Sequence, residues 1–211
     1  LIKSVWNIRT EQAGRVFRSM ENRLCTPGIR VDGALLIRYN LVRSDRLLSW
    51  RRIPEKGDFP HMKKILFVAS ESVPFIKTGG LADVVGSLPK CFPKEYFDVR
   101  VIIPKYSMIK EEFKNQMQYI TSFYLDLNWR QQYVGILTAE YEGIRFYFID
   151  NEEHFSGDRP YAGMPWDLEK FAFFSKAVLS VLPVIDFRPD IIHCHDWQTG
   201  LVPVYLHERF Q

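Results

Sequence analysis

From Met62 onward, apolar residues fall into short blocks separated by glycine, proline and charge. "KKILFVAS" (63–70) is continuous rather than alternating, the pattern of a strand buried on both faces. "LADVVGSLPKCF" (81–92) follows with helical spacing, and "DVRVIIPKY" (98–106) is a second buried-type strand closed by Pro104. Strand, helix and strand at this distance predict a βαβ unit. A helix is expected over about 108–117. Three strands are then predicted in "YITSFYLDL", "QYVGILTAEY" and "IRFYFID", the last two joined by a tight turn at Glu142-Gly143. "DLEKFAFFSKAVLSVL" places Phe171, Phe174, Val178 and Leu182 on one helical face, with Pro183 at its end. "PDIIHCHDW" predicts a strand running into a polar tip, and "TGLVPVYLHERF" a further helix. The pattern is that of an α/β domain built on a mainly parallel, Rossmann-like sheet. In such sheets ligands bind at the carboxyl ends of the strands. The two most polar loops, after "ILFVA" and after "DIIHC", lie at such ends and should converge if their strands are neighbours.

Residues 1–61 break this pattern. They have no clean period and are arginine-rich. Through His61 there are 12 Lys/Arg and 6 Asp/Glu, a balance of +6, whereas the remainder carries 16 and 19, a balance of −3. A basic arm for nucleic acid would need a clustered face or a known motif, and neither is visible. "MKKILFVAS" reads as a natural beginning. Residues 1–61 are therefore expected to be a non-native or upstream-translated extension, and residues 62–211 to belong to the α/β domain.

Composition adds limits. Of the 211 residues, 46% are hydrophobic and 25% charged, ordinary for a globular protein. No apolar run reaches the roughly 18 residues of a membrane span, and no secretory leader opens the chain. Three cysteines (Cys25, Cys91, Cys194) without metal-ligand spacing point to reduced thiols. These features lead us to expect a cytoplasmic protein with no membrane or nucleic-acid partner and no metal or other cofactor.

The chemistry concentrates in "VPFIKTGGLADVVGSLPK" (73–90). A helix N-terminus offers free N–H groups and partial positive charge. Glycine lets a phosphate approach those groups, and Lys77 adds a full charge. The loop suits a diphosphate or a phosphorylated sugar. It is neither a P-loop nor the dinucleotide fingerprint. The alternative is that Gly79 and Gly80 merely turn the chain from strand to helix, with Lys77 solvated.

"MKKILFVASESVPFIKTGGLADVVGSLPK" strongly resembles the opening of bacterial glycogen synthases and plant starch synthases, whose motif is lysine, a variable residue, then Gly-Gly-Leu. "PDIIHCHDWQTGLVPVYL" resembles a second block of that family, built around His-Asp-Trp. The resemblance spans residues 62–211 and leaves out 1–61. It implies the N-terminal half of a GT-B glycosyltransferase, with its C-terminal domain absent. The family moves glucose from ADP-glucose to the non-reducing end of an α-1,4-glucan such as glycogen, with retention. It further implies that Lys77, Gly79 and Gly80 hold the leaving diphosphate without a metal, and that Glu71 and Asp83 bind sugar or nucleotide. For Asp83, a first-turn helix acid is the other reading. His195 and Asp167 would be the catalytic residues, with His195 orienting the glucose and His193 on the other side of the strand. Asp167 matches a family acid before an aromatic helix. Its surroundings, "WDLEKF", depart from Asp-Asn-x-x-Arg-Phe, which leaves helix capping as the alternative. Trp129, Tyr161 and Trp166 are candidates for glucan contact, while Phe146 and Phe148 should fill core. A GT-B enzyme using another nucleotide-sugar and a non-catalytic glucan- or nucleotide-binding fragment are the competing readings. The chain alone is expected to lack synthase activity.

Overall fold

The computed structural model describes residues 62–128 and 130–209. The chain divides into two units at His61/Met62. The expectations for residues 1–61, Cys25 and Trp129 lie outside the described residues.

The second unit contains a six-stranded sheet. The strands are β1 (Lys63–Val68), β2 (Phe97–Pro104), β3 (Gln118–Leu127), β4 (Arg130–Tyr141), β5 (Ile144–Asp150) and β6 (Ile191–Cys194). Their order is β3-β4-β5-β2-β1-β6. β5, β2, β1 and β6 pair in parallel, and β4 runs antiparallel to both β3 and β5. Five of the six strands therefore point the same way, and the start of β4 lies at the edge where the others end.

Burial explains the continuous apolar run of β1. It is flanked by β2 and β6, and Ile65, Leu66, Phe67 and Val68 are all buried. The β4–β5 turn forms where expected. Glu142 and Gly143 both have positive φ, 47° and 74°, as a two-residue hairpin turn requires. Phe146 and Phe148 fill core, and Phe75 meets each edge-on at 4.9 Å.

Helices α1 (Gly80–Ser87), α4 (Trp166–Val181) and α5 (Val202–Arg209) lie where periodicity placed them. Phe171, Phe174 and Val178 of α4 are buried. Two short helices differ from expectation. The segment around 108–117 keeps only α2 (Glu111–Lys114) in helix. The unanticipated α3 (Glu152–Phe155) is capped by Asn151, whose Oδ1 accepts the His154 N–H at 3.0 Å. Among the described residues, no helix is long and apolar enough to cross a membrane.

β1 sits where the topology switches. The chain leaves β1 for β2 on one side, while β6 pairs on the other. A crevice outside the carboxyl ends of β1 and β6 is the expected ligand position in such a sheet.

Candidate functional site

The last residue of β1, Val68, is in register with the last residue of β6, Cys194. The ladder continues one step, since the His195 N–H donates to Val68 O at 3.0 Å. β1 and β6 are neighbours, so the two polar loops leave the sheet edge side by side.

The loop after β1 is folded by Glu71. This carboxylate is buried, and its Oε2 accepts from the Thr78 N–H at 2.5 Å and from Thr78 Oγ1 at 2.7 Å. Two donors on one buried oxygen offset the cost of taking the charge out of water. The Val73 N–H donates to Ala82 O at 3.1 Å, which ties the same loop to α1. Gly86 makes that contact possible. A Cβ there would lie 2.3 Å from Val73 Cγ2 and 2.8 Å from Val73 O.

Gly79 and Gly80 need a different explanation. Gly79 is extended (φ −152°, ψ −165°), and Gly80 begins α1. Neither has positive φ. A Cβ on Gly80 would meet nothing within 4 Å, and one on Gly79 only Glu71 Oε1 at 3.9 Å. Neither the turn nor internal packing demands glycine here. The missing side chains do leave the N-terminal N–H groups of α1, which no side chain caps, open to close approach. Lys77 stands beside them. Its Nζ donates to Asp83 Oδ1 at 2.7 Å, and both side chains are about half exposed. Asp83 is in the first turn of α1, so it both complements the helix dipole and holds the lysine.

His195 is buried and stacks on Phe67, with ring centroids 5.4 Å apart and an interplanar angle of 27°. Its Nε2 is buried without a hydrogen-bond partner. Burial, reinforced by the neighbouring His193, lowers its pKa to about 3, so the imidazole is neutral. A neutral ring offers one donor and one acceptor, which allows it both to donate to and to accept from a hydroxyl. His193 is not on the other side of the strand. The two histidine rings meet at 4.4 Å, because residues two apart in extended backbone share a face. Burial lowers the pKa of His193 too. Cys194, between them, is half-buried, and its thiol is pushed up to about 11 by burial. Asp196 adopts φ 59°, ψ −177°, a region that side chains other than glycine rarely occupy. Burial also raises its pKa.

A third segment, between α3 and α4, reaches the same place. The Tyr161 hydroxyl lies 2.8 Å from Ser70 Oγ and also meets the Thr78 hydroxyl. Burial raises its pKa. Phe171 stands between Tyr161 and Trp197, with centroids 6.0 Å and 5.3 Å away. Tyr106 is fully buried nearby with an unpartnered hydroxyl, and burial raises its pKa strongly, with Tyr161, Glu71 and Asp167 adding to the effect.

Asp167 is buried in protein contacts. Its two oxygens accept from the N–H groups of Ala162 (3.0 Å) and Gly163 (2.9 Å), and Lys170 Nζ lies 3.2 Å away. Burial pushes the carboxyl up, but these donors outweigh it and hold the pKa below the usual range. The arrangement stabilises the loop that carries Tyr161. Asp167 is not the N-cap of α4, a position held by Pro165. Trp166 is exposed at the start of that helix.

The structure thus places Glu71, Lys77 and Gly79 in the loop after β1 and Gly80 and Asp83 in the first turn of α1, sets His195 at the neighbouring strand end, and holds Asp167 under the third segment. Sequence reasoning did not single out Ser70, Thr78 or Tyr106. Their roles depend on which loops meet, and no spacing encodes that. Among the described residues, no group of three or more His, Cys, Asp and Glu side chains is placed to hold a metal ion.

A mostly parallel sheet with an uncapped, glycine-opened helix and a neutral buried histidine at one switch point defines an α/β domain with a candidate ligand crevice at its strand ends. The starch synthase catalytic domain family matches residues 64–211, and the chain belongs to that family. Glycogen synthases of Lachnoclostridium phytofermentans and Lachnospira eligens are 69% and 66% identical over 150 and 149 residues, in each case 71% of this chain and 31% of the relative. The catalytic domain of starch synthase IV from Arabidopsis thaliana, solved bound to ADP and acarbose, superposes with a TM-score of 0.64 at 29% identity, covering 71% of this chain and 31% of that one. The chain therefore spans about a third of the length of the relatives it matches.

Proposed function

We propose that the chain is the donor-loop part of a glycogen synthase, which transfers glucose from ADP-glucose to the non-reducing end of an α-1,4-glucan with retention of anomeric configuration. The supporting observation is the loop from Glu71 to Asp83. Glu71 and Asp83 fix it from within, while Gly79 and Gly80 leave the first N–H groups of α1 accessible beside Lys77. As the glycosidic bond breaks, charge develops on the leaving diphosphate. Donors already aimed at that charge stabilise the transition state more than the ground state. In this role the diphosphate takes the Lys77 ammonium from Asp83. The neutral His195 ring orients a glucose hydroxyl and does not act as a general base. Asp167 acts by holding the Tyr161 segment in place. A cytoplasmic location belongs to the same reading.

The test is titration of the purified chain with ADP, ADP-glucose and UDP-glucose, together with transfer of labelled glucose to glycogen. The expected result is ADP-glucose binding that Lys77→Ala weakens by about 10- to 100-fold, without turnover by the chain alone. Preference for UDP-glucose would reassign the donor. No binding of any of these nucleotides would overturn the reading.

A further inference from the structure

A cavity of about 330 Å³ opens at the sheet edge opposite the glycine loop, where the starts of β2 and β5 meet the end of β4. Lys94, Arg100, Arg145, Asp98, Glu140 and Phe97 help to line it. β2 runs 8 residues from this edge to the other, which separates the cavity from the glycine loop by roughly 25 Å.

One wall of the cavity is fixed. Arg100 Nε and Nη2 donate to the two oxygens of Asp98 at 3.1 and 2.9 Å. Its Nη1 donates to Tyr147 Oη at 2.7 Å, and its guanidinium lies 4.0 Å from the centroid of the Phe187 ring. Asp98 is thereby committed to Arg100, while the remaining guanidinium N–H groups stay open. The β4–β5 turn supplies the other wall. Lys90 pairs with Glu142 and ties this turn to the segment before β2. Lys94, in the same segment, lays its ammonium against Gly143, where a Cβ would come within 2.3 Å of Nζ. Glycine at 143 thus serves the positive φ of the turn, 74°, and makes room for the cation.

The charges here do not cancel. Arg100 and Arg145 are register partners on adjacent parallel strands, so their side chains leave one face of the sheet with roots about 4.8 Å apart. Like charges side by side on neighbouring strands are unfavourable. Lys94 and Arg145 make no ion pair among the described residues, and neither does Glu140, the register partner of Arg145 on β4. With Asp98 committed, three cations face one uncommitted carboxylate. A phosphate dianion between the two arginines relieves their repulsion. Guanidinium groups match its oxygens in a fork, and an ammonium adds a point charge from any side. The volume is at the small end of ligand pockets, which suits a phosphate or a small phosphate ester.

We propose that this cavity is a phosphate-binding site, separate from the glycine loop, in which Arg100 and Arg145 donate to the anion and Lys94 closes on it from the turn. Free phosphate and a phosphate monoester present the same dianion, and either fits this chemistry.

The test is calorimetric titration of the purified chain with inorganic phosphate and with glucose 1-phosphate, carried out in a Lys77→Ala background to weaken any contribution of the glycine loop. Lys94, Arg145 and Glu140 are exposed, so variants there should fold. The expected result is saturable binding that Arg145→Ala and Lys94→Ala each weaken by about tenfold. Glu140→Gln removes the uncommitted negative charge and should tighten binding. ADP affinity, measured with Lys77 in place, should be unchanged by all three. Equal affinity for the two probes supports a site for free phosphate, and tighter glucose 1-phosphate a site for a phosphate ester. Phosphate affinity unaltered by Arg145→Ala overturns the site. So does the absence of phosphate binding in a folded Lys77→Ala chain, whether or not the chain with Lys77 binds it.

Discussion

Glu71 and Thr78 close the loop after β1 upon itself. One buried carboxylate oxygen accepts both the backbone N–H and the hydroxyl of Thr78, at 2.5 and 2.7 Å. An acid that the family resemblance implies as a ligand-binding residue instead shapes the loop proposed to bind the donor. Glu71→Ala leaves the Thr78 N–H without its acceptor and should cost about 1–3 kcal/mol. Glu71→Gln keeps one acceptor oxygen and should cost less. Urea unfolding of the two variants should show that order, with ADP affinity falling in the same sequence.

Lys77 and Asp83 form an exposed pair, so breaking it should change stability by less than about 1 kcal/mol. Binding should respond far more. Lys77→Ala is expected to weaken ADP by about 10- to 100-fold through loss of a charge-assisted contact. Asp83→Asn removes the competitor for the ammonium and should tighten ADP, which calorimetric titration reads directly.

Three glycines of one segment should behave in opposite ways. Gly86→Ala drives a Cβ into Val73 and should destabilise by about 1–3 kcal/mol, despite alanine's better helix propensity. Gly80→Ala meets open space and should leave stability unchanged or raise it slightly, while ADP affinity drops. Gly79→Ala should follow Gly80→Ala. A stable Gly80→Ala chain with undiminished ADP affinity would argue that the glycines serve no ligand.

His195 sets a sign for pH dependence. Its pKa is about 3 in the fold, because burial favours the neutral ring, against about 6.5 in an unfolded chain. Below pH ~6.5 the unfolded chain takes up a proton that the folded one does not. The contribution is full above that value and is lost progressively as pH falls toward about 3. His154 and His193 shift in the same direction, also through burial. Unfolding free energy should therefore fall between pH 7.5 and 5.5, and it should fall less in His195→Asn than in wild type.

Asp196 occupies backbone space suited to glycine, at φ 59° and ψ −177°. Asp196→Gly should relieve part of a strain of about 1–3 kcal/mol and raise the melting temperature. An unchanged or lowered melting temperature would mean that the carboxylate stabilises the loop by more than the strain costs.

Much of this molecule was legible along the chain because its causes are local. The continuous apolar run of β1, the helical spacing of α4 and the turn at Glu142-Gly143 each follow from side-chain period or backbone preference, and each formed where that predicts. The glycine loop and the His-Asp-Trp tip were recognisable from composition and resemblance. Tertiary structure alone decided what each acid does. Glu71 turns inward to Thr78, Asp83 holds Lys77, and Asp167 supports the segment bearing Tyr161. It also brought Tyr124 against Tyr133, whereas His193 and His195 share a face through the two-residue period of extended backbone. The reason is the range of the interaction. Period and propensity act within a few residues, whereas a carboxylate's partner is set by which loops the sheet order brings together.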